Sequence, residues 1–227
     1  MIVAIVPARG GSKSIPRKNI VPVGGKPLIT WTLEQAMATE RLEHNVWVTT
    51  DDDEIRKVAS KTTVLTINRP PDTATDIAST ESAIRHWFKS CKEVHKATAI
   101  VLLQCTSPIR QPNDITEAIN VFEESDADSL FSARVVEGYT WRHGPGLCSP
   151  MYSQRLPRQA HSVHTLEENG SIYIFRPDVL MEYGTRLGGK VVPYIMHPLD
   201  SFQVDEPDDI PLIESLMEVR LANRVAA

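Results

Sequence analysis

Ile2–Val6 is a run of five apolar residues, nearly all of them β-branched, and it is too short for a buried helix. A strand apolar at every position must be covered on both faces, and a sheet sandwiched between helices provides that cover. The rest of the chain keeps the same rhythm. A helical pattern starts at Pro27 and runs through Leu28, Trp31, Leu33 and Ala36, followed by a strand at Asn45–Thr50. A helix from Asp52 to about Lys61, a strand at Val64–Ile67 and a helix at Ser79–Lys89, capped by Ser79 or Thr80, come next. Ala97–Gln104, centred on Ile100–Leu103, gives the strongest strand signal; a helix at Pro112–Glu124 and a strand at Ala127–Val136 follow. This alternation predicts an α/β fold, with a mostly parallel sheet and helices on both faces.

The rhythm breaks between Glu137 and Asn169, where glycines, prolines and the aromatics Tyr139, Trp141 and Tyr152 accumulate. An unstructured insert of that length is unusual inside a compact domain, so residues 137–169 are expected to form a functional arm within a single domain spanning 1–227. A strand at Ser171–Phe175, a short helix after Pro177, a strand at Val191–Met196 and a helix from Pro207 to about Asn223 complete the pattern.

The formal net charge is −5, which argues against a general nucleic-acid binder. Any anion site must therefore be a local concentration of positive charge. There is no apolar run near the ~18 residues of a membrane span, and Met1–Val6 lacks the basic start of a signal peptide, so no membrane partner is expected. Cys91, Cys105 and Cys148 are odd in number and widely spaced, which fits free thiols in a cytoplasmic protein better than a disulfide or metal framework.

That concentration occurs in Pro7-Ala8-Arg9-Gly10-Gly11-Ser12-Lys13-Ser14-Ile15-Pro16-Arg17-Lys18-Asn19, directly after the first strand. Open α/β sheets bind ligands at the carboxyl ends of their strands. Paired glycines let backbone N–H groups approach a phosphate chain, and Arg9, Lys13, Arg17 and Lys18 supply positive charge. The spacing matches neither G-x-x-x-x-G-K-[ST] nor G-x-G-x-x-G.

Ile5–Lys13 followed by Ile15–Asn19 resembles the nucleotide-binding signature of the acylneuraminate (CMP-sialic acid) cytidylyltransferases. Ser14 stands where that family usually has glycine, and the change implies a stiffer loop. The resemblance implies a Rossmann-like nucleotidyltransferase sheet and transfer of CMP from CTP to a sialic-acid-like 2-keto sugar acid. It places Ala8, Arg9, Gly10, Gly11, Ser12, Lys13, Lys18 and Asn19 around the nucleotide, with Lys18 and Arg9 stabilising phosphate charge. Asn68-Arg69-Pro70-Pro71 and then Asp76, Ser79, Thr80 and Glu81 resemble the segment that reads the cytosine, which adds Arg69, Ser79 and Thr80 to the nucleotide site. Taken alone, that segment is equally a turn followed by a helix cap.

The resemblance extends to the acceptor side. Gln104, at the end of the strongest strand, is expected to hydrogen-bond the sugar acid, and Arg158 to pair with its carboxylate. Tyr173 either packs on the sugar or belongs to the core. The arm is implied to reach a dimer partner. Gln203 and Asp205 are expected to alternate on a strand and face the same way. Asp205 then carries Mg²⁺ (Mn²⁺ as an alternative), while Gln203 replaces an aspartate usual in the family. Asp205, Asp208 and Asp209 equally suit capping of the last helix. Asp51, Asp52 and Asp53 read as a helix cap, and His161 with His164 lacks a third zinc ligand. A different acceptor such as 3-deoxy-manno-octulosonate, or a nucleotide-binding protein without catalysis, remains open.

Overall fold

The computed structural model describes residues 1–42, 44–152, 154–155 and 165–225. The first strand, β1 (Ile2–Pro7), runs into the cationic loop, which is followed by a small hairpin of β2 (Pro22–Val23) and β3 (Lys26–Pro27) turned by Gly24 and Gly25 in the left-handed region. The chain continues through α1 (Leu28–Met37), β4 (Val46–Thr50), α2 (Asp53–Ala59), β5 (Leu65–Asn68), α3 (Thr80–Ser90), β6 (Ala99–Leu103), α4 (Asp114–Glu124) and β7 (Ser129–Val136). After β7 come β8 (Trp141–Gly144), β9 (Leu147–Pro150), β10 (Thr165–Phe175), α5 (Pro177–Glu182), β11 (Val191–Ile195) and α6 (Asp209–Val225).

Seven strands form one sheet in the order β11-β7-β10-β6-β1-β4-β5, with every neighbouring pair parallel except those made by β10, which is antiparallel to both β6 and β7. The fold is therefore the expected mostly parallel α/β sheet. Alternate side chains of the central strands enter two cores. Ala4, Val6, Val101 and Leu103 pack with Leu33 of α1 and Ile119 and Phe122 of α4. Val3, Ile5, Ile100 and Leu102 pack on the other face with Ile84 and Trp87 of α3 and Leu180 of α5. A third, smaller cluster joins Ile15 of the cationic loop to Val204 and to Ile213 and Met217 of α6. That cluster fixes the loop against the segment carrying Asp205, using apolar burial where the loop itself has few internal bonds.

The structure corrects the sequence reading at two places. The stretch from Glu137 to Asn169 is not structureless: it contains the β8–β9 hairpin and the first half of β10, whose Thr165–Glu168 pair with Val136–Ala133. Register shifts between Glu168 and Tyr173, where Gly170 adopts φ +67°. This bulge lets one long strand serve the hairpin side and then the central sheet. The second correction concerns Gln203 and Asp205, which lie in irregular backbone and not on a strand. Val204 is held there by one backbone bond, donated to the Thr106 carbonyl at 2.8 Å. Among the described residues no helix is long and apolar enough to cross a membrane.

Candidate active site

The winding of the sheet reverses at β1, which lies between β4 and β6, and open α/β sheets bind ligands at the carboxyl side of such a point. A pocket of about 260 Å³ opens there. The end of β1 and the loop after it contribute Pro7, Arg9, Gly11, Ser12, Lys18 and Asn19; the turn after β5 and the start of α3 contribute Arg69, Asp76, Ala78 and Thr80; the turn after β6 adds Gln104, Cys105 and Thr106. Residues far apart in sequence thus share one wall because three parallel strands deliver their carboxyl ends to the same edge.

The loop owes its shape to contacts outside the pocket. Asp52 caps α2, its Oδ1 accepting from the N–H groups of Glu54 and Ile55 at 2.9 Å each. The same oxygen accepts from Arg17 Nη2 at 2.7 Å, and Glu54 adds a second ion pair to Arg17 at 3.1 Å. Arg17 sits in the left-handed region at φ 57°, a conformation that these contacts offset. Asp51 Oδ1 accepts from the Gly10 N–H at 2.9 Å, so that amide points toward α2 and away from the pocket. A Cβ at Gly10 would lie 2.6 Å from Asp52 Oδ2, whereas one at Gly11 would meet nothing within 4 Å. Asn19 Nδ2 donates to the Arg9 carbonyl at 2.9 Å and closes the loop on itself.

Lys18 points across the pocket mouth, where its Nζ donates to Asp205 Oδ1 at 3.0 Å and to the Asp205 carbonyl at 3.1 Å. Ser14 Oγ donates to that same carbonyl, a bond that a glycine in this position could not make. Arg9 Nη1 donates to the Thr75 carbonyl at 2.7 Å and pairs with Asp76 at 3.1 Å; Lys13 pairs with the other Asp76 oxygen at 3.2 Å. Arg69 is buried, and burial pulls its guanidinium below the usual arginine range, opposed by Asp51 and reinforced by Arg9.

The residues proposed from sequence therefore separate. Arg9, Gly11, Ser12, Lys18, Asn19, Arg69, Thr80 and Gln104 converge on the pocket. The Ala8 side chain is buried in the core, Gly10 faces α2, Lys13 lies at the exposed rim, and Ser79 caps α3 by accepting from the Ser82 N–H at 3.2 Å. Tyr173 is buried in the core shared with α3, its hydroxyl donating to Glu168 and its ring 4.3 Å from the Arg186 guanidinium. Of the two sequence alternatives for Tyr173, this is the core one. Arg158 lies outside the described residues, as do His161 and His164.

Arg110, six residues after Gln104, turns inward. It is 2% exposed and donates to Thr32 Oγ1, Gln35 Oε1 and the carbonyls of Gln104 and Ser171 at 2.8–3.1 Å. Burial lowers its pKa to about 10. It pins the backbone of Gln104, leaving that residue's side chain for the pocket. Cys105 also lines the pocket, but burial pushes its thiol up to about 12, so it is no thiolate nucleophile at neutral pH. Asp51, Asp52 and Asp76 do more here than the sequence suggested; their roles arise from long-range contacts that no local spacing encodes.

The Asp205 side chain is 60% exposed, with one oxygen on Lys18. Asp209 is committed elsewhere, accepting through Oδ2 from the N–H groups of Asp205 and Glu206 at 2.8 and 2.7 Å. Gln203 donates to the Asn169 carbonyl and accepts from Thr106. Among the described residues no cluster of three or more acidic, His or Cys side chains could cage a metal. One solvent-exposed carboxylate, Asp205, does fit an ion of the Mg²⁺ type, which takes one or two protein carboxylates and completes its shell with phosphate oxygens and water.

The sequence profile described as Cytidylyltransferase matches residues 3–194. N-acylneuraminate cytidylyltransferase A of Danio rerio is 36% identical over 219 residues, covering 94% of this chain and 50% of that protein. The chain spans about half the length of the N-acylneuraminate cytidylyltransferases it matches. CMP-N,N'-diacetyllegionaminic acid synthase of Legionella pneumophila is 29% identical over 225 residues, covering 96% of this chain and 97% of the relative. A solved structure of CMP:2-keto-3-deoxy-manno-octonic acid synthetase complexed with CTP superposes with a TM-score of 0.71 at 19% identity, over 96% of this chain and 99% of that one.

Proposed function

The chain belongs to the cytidylyltransferase family, and from that premise we propose that it transfers CMP from CTP to the anomeric hydroxyl of a sialic-acid-like 2-keto sugar acid, releasing pyrophosphate. The observation that carries the reading is the pair Lys18–Asp205 at the mouth of a pocket lined by Gly11, Ser12, Arg9 and Arg69. Positive charge and small loop residues line one pocket, and the solvent-exposed Asp205 carboxylate reaches it through Lys18, a combination that supports polyphosphate binding. The names of the N-acylneuraminate and legionaminic acid relatives support a nine-carbon sugar acid as acceptor.

In this mechanism the anomeric oxygen attacks the α-phosphorus in line with the departing pyrophosphate. Such reactions depend on alignment and on stabilising charge at the phosphoryl oxygens. Lys18 leaves Asp205 for an α-phosphate oxygen, and Arg9 neutralises charge on the tail. Backbone N–H groups of Gly11 and Ser12 bind phosphate oxygens without steric obstruction. Asp205 is the residue that would hold a divalent cation, Mg²⁺ with Mn²⁺ as an alternative, and the cation would supply further neutralisation of phosphate charge. Arg69 and Thr80 flank the base, and Gln104 offers an amide to the acceptor's hydroxyls. Arg158 remains the assigned partner of the acceptor carboxylate by family resemblance.

The arm 137–169 is the proposed dimer contact. Trp141 and Leu147 are exposed, and Tyr152 packs against Tyr139 and Trp141 with ring centroids 5.1 and 5.9 Å apart, an apolar group of the kind that marks an interaction surface. Reliance on CTP and the free state of Cys91, Cys105 and Cys148 fit a cytoplasmic location.

The test is pyrophosphate release from CTP, with UTP and ATP as controls, over sialic, legionaminic, pseudaminic and octulosonic acids, compared by kcat/KM. Turnover with a nine-carbon acid is the expected result. Saturable CTP binding without CMP-sugar at any acceptor or Mg²⁺ or Mn²⁺ concentration would replace the enzyme with a nucleotide-binding protein. Preference for the eight-carbon octulosonate would change only the acceptor.

A further inference from the structure

Among the described residues Asp76 is the one acidic side chain lining the pocket, on the same wall as Arg9. Its two carboxylate oxygens are divided between the loop's cations, Oδ1 with Arg9 Nη1 at 3.1 Å and Oδ2 with Lys13 Nζ at 3.2 Å. A bidentate carboxylate between a guanidinium and an ammonium is the geometry a phosphoryl group adopts with the same partners. Asp76 belongs to the turn between β5 and α3, beside Ile77, whose side chain stands out in solvent, so the carboxylate can withdraw without disturbing packed side chains. Arg9 does not depend on it alone: its Nη1 also donates to the Thr75 carbonyl at 2.7 Å, which fixes the guanidinium whatever residue 76 is.

Resting on the cytidylyl-transfer reading above, we propose that Asp76 is an internal competitor for the polyphosphate tail, holding Arg9 and Lys13 until the tail displaces it and reclaiming them when pyrophosphate leaves. The consequence is selective. A ligand that engages Arg9 and Lys13 must displace the carboxylate and tolerate its charge, while one whose single phosphate stays at Lys18 need not. Asp76 therefore weakens CTP and pyrophosphate but not CMP, and it speeds product release. Because all three side chains are partly exposed, at 30%, 79% and 39% for Arg9, Lys13 and Asp76, solvent screening keeps the effect modest.

Calorimetric titration of wild type, Asp76→Asn and Asp76→Ser with CTP, inorganic pyrophosphate and CMP tests this. The expected result is a Kd about two- to fivefold lower for CTP and pyrophosphate in both variants, an unchanged Kd for CMP, and stronger inhibition by pyrophosphate. The added affinity should shrink as salt rises. Equal or weaker binding of pyrophosphate by both variants would make Asp76 a support for Arg9 and overturn the inference. Tightening of all three ligands alike would overturn it too, because the effect would then be general charge removal. Wild-type protein that takes up pyrophosphate but not CTP would sink the cytidylyl reading while the pyrophosphate comparison still decides the role of Asp76; uptake of neither would overturn both.

Discussion

Lys18 and Asp205 stand 187 positions apart in the chain, and their side chains meet at 3.0 Å. The lysine comes from the loop after β1 and the aspartate from the irregular segment before α6, and the Ile15–Val204–Met217 cluster holds the two backbones together. Lys18 is the less exposed partner at 12%, so the pair presents a fixed ammonium beside a solvent-exposed carboxylate.

Replacing Lys18 by alanine is expected to lower kcat for CMP transfer by about 10²–10³-fold, the usual loss when one preorganised donor to developing phosphoryl charge is removed. The folding cost should stay near 1 kcal/mol or below, because Asp205 is largely solvated and the ion pair is screened. Paired kcat and thermal-melting measurements separate the two. Near-normal turnover in a folded Lys18→Ala protein would remove its assigned role.

The neighbouring glycines should respond differently to a single methyl. At Gly10 a Cβ would press on the Asp52 carboxylate that caps α2 and holds Arg17, so Gly10→Ala is expected to cost about 1–3 kcal/mol of stability as that junction shifts. At Gly11 the methyl enters open space in the free protein. Gly11→Ala should melt like wild type yet bind CTP at least tenfold less tightly, because the methyl occupies room that phosphate oxygens need. Denaturant unfolding and CTP titration of both variants check this; equal losses of stability would contradict it.

Much of this architecture can be read from residue types. The strand–helix alternation encodes both cores because an apolar strand leaves no choice about burial, and Ser79 and Asp52 occupy the cap positions that their short acceptors favour. The loop after β1 is legible for the same reason: glycine pairs and dense positive charge have few structural uses. What the sequence hides depends on distant partners. Nothing local says that Asp51 takes the Gly10 N–H, that Asp76 takes Arg9, or that Gln203 is spent on the Asn169 carbonyl. The strands of the arm are not legible in the sequence because β8 and β9 are almost wholly exposed and carry no core-facing alternation, and because β10 begins before its apolar half.

Arg110 offers a sharper separation of packing from catalysis. Its guanidinium donates to the carbonyls of Gln104, just past β6, and Ser171, within β10, and to Thr32 and Gln35 of α1, so Arg110→Met strips each of these acceptors of its shortest hydrogen bond. A loss of about 1.5–3 kcal/mol is expected from urea unfolding, the range for hydrogen bonds made by a charged group. Residual folded enzyme should show a raised KM for the sugar acid, because Gln104 is then no longer held from behind. A variant of wild-type stability would show that Arg110 is not the tie between these strands.

Asp114 makes a prediction about pH. It is buried at the start of α4, where its carboxylate accepts from the Gln111 N–H at 2.6 Å and from Tyr194 Oη at 2.9 Å. Burial raises its pKa above the ordinary aspartate value, with Asp200 adding to the shift, while these two hydrogen bonds and Arg110 oppose it. The folded state therefore holds this proton more tightly than the unfolded chain. The contribution is fully present below the unfolded pKa of about 3.9 and is lost as pH rises through the folded value. Asp114→Asn abolishes that titration. The stability of wild type relative to the variant, from urea unfolding, should accordingly be more favourable at pH 4 than at pH 7. Tyr194→Phe is a useful companion, since it removes one bond to the carboxylate and should raise the Asp114 pKa further. A difference between wild type and Asp114→Asn that stays constant would mean that hydrogen bonding to the carboxylate balances its burial, and one that grows toward pH 7 that it outweighs it; either would contradict the raised pKa.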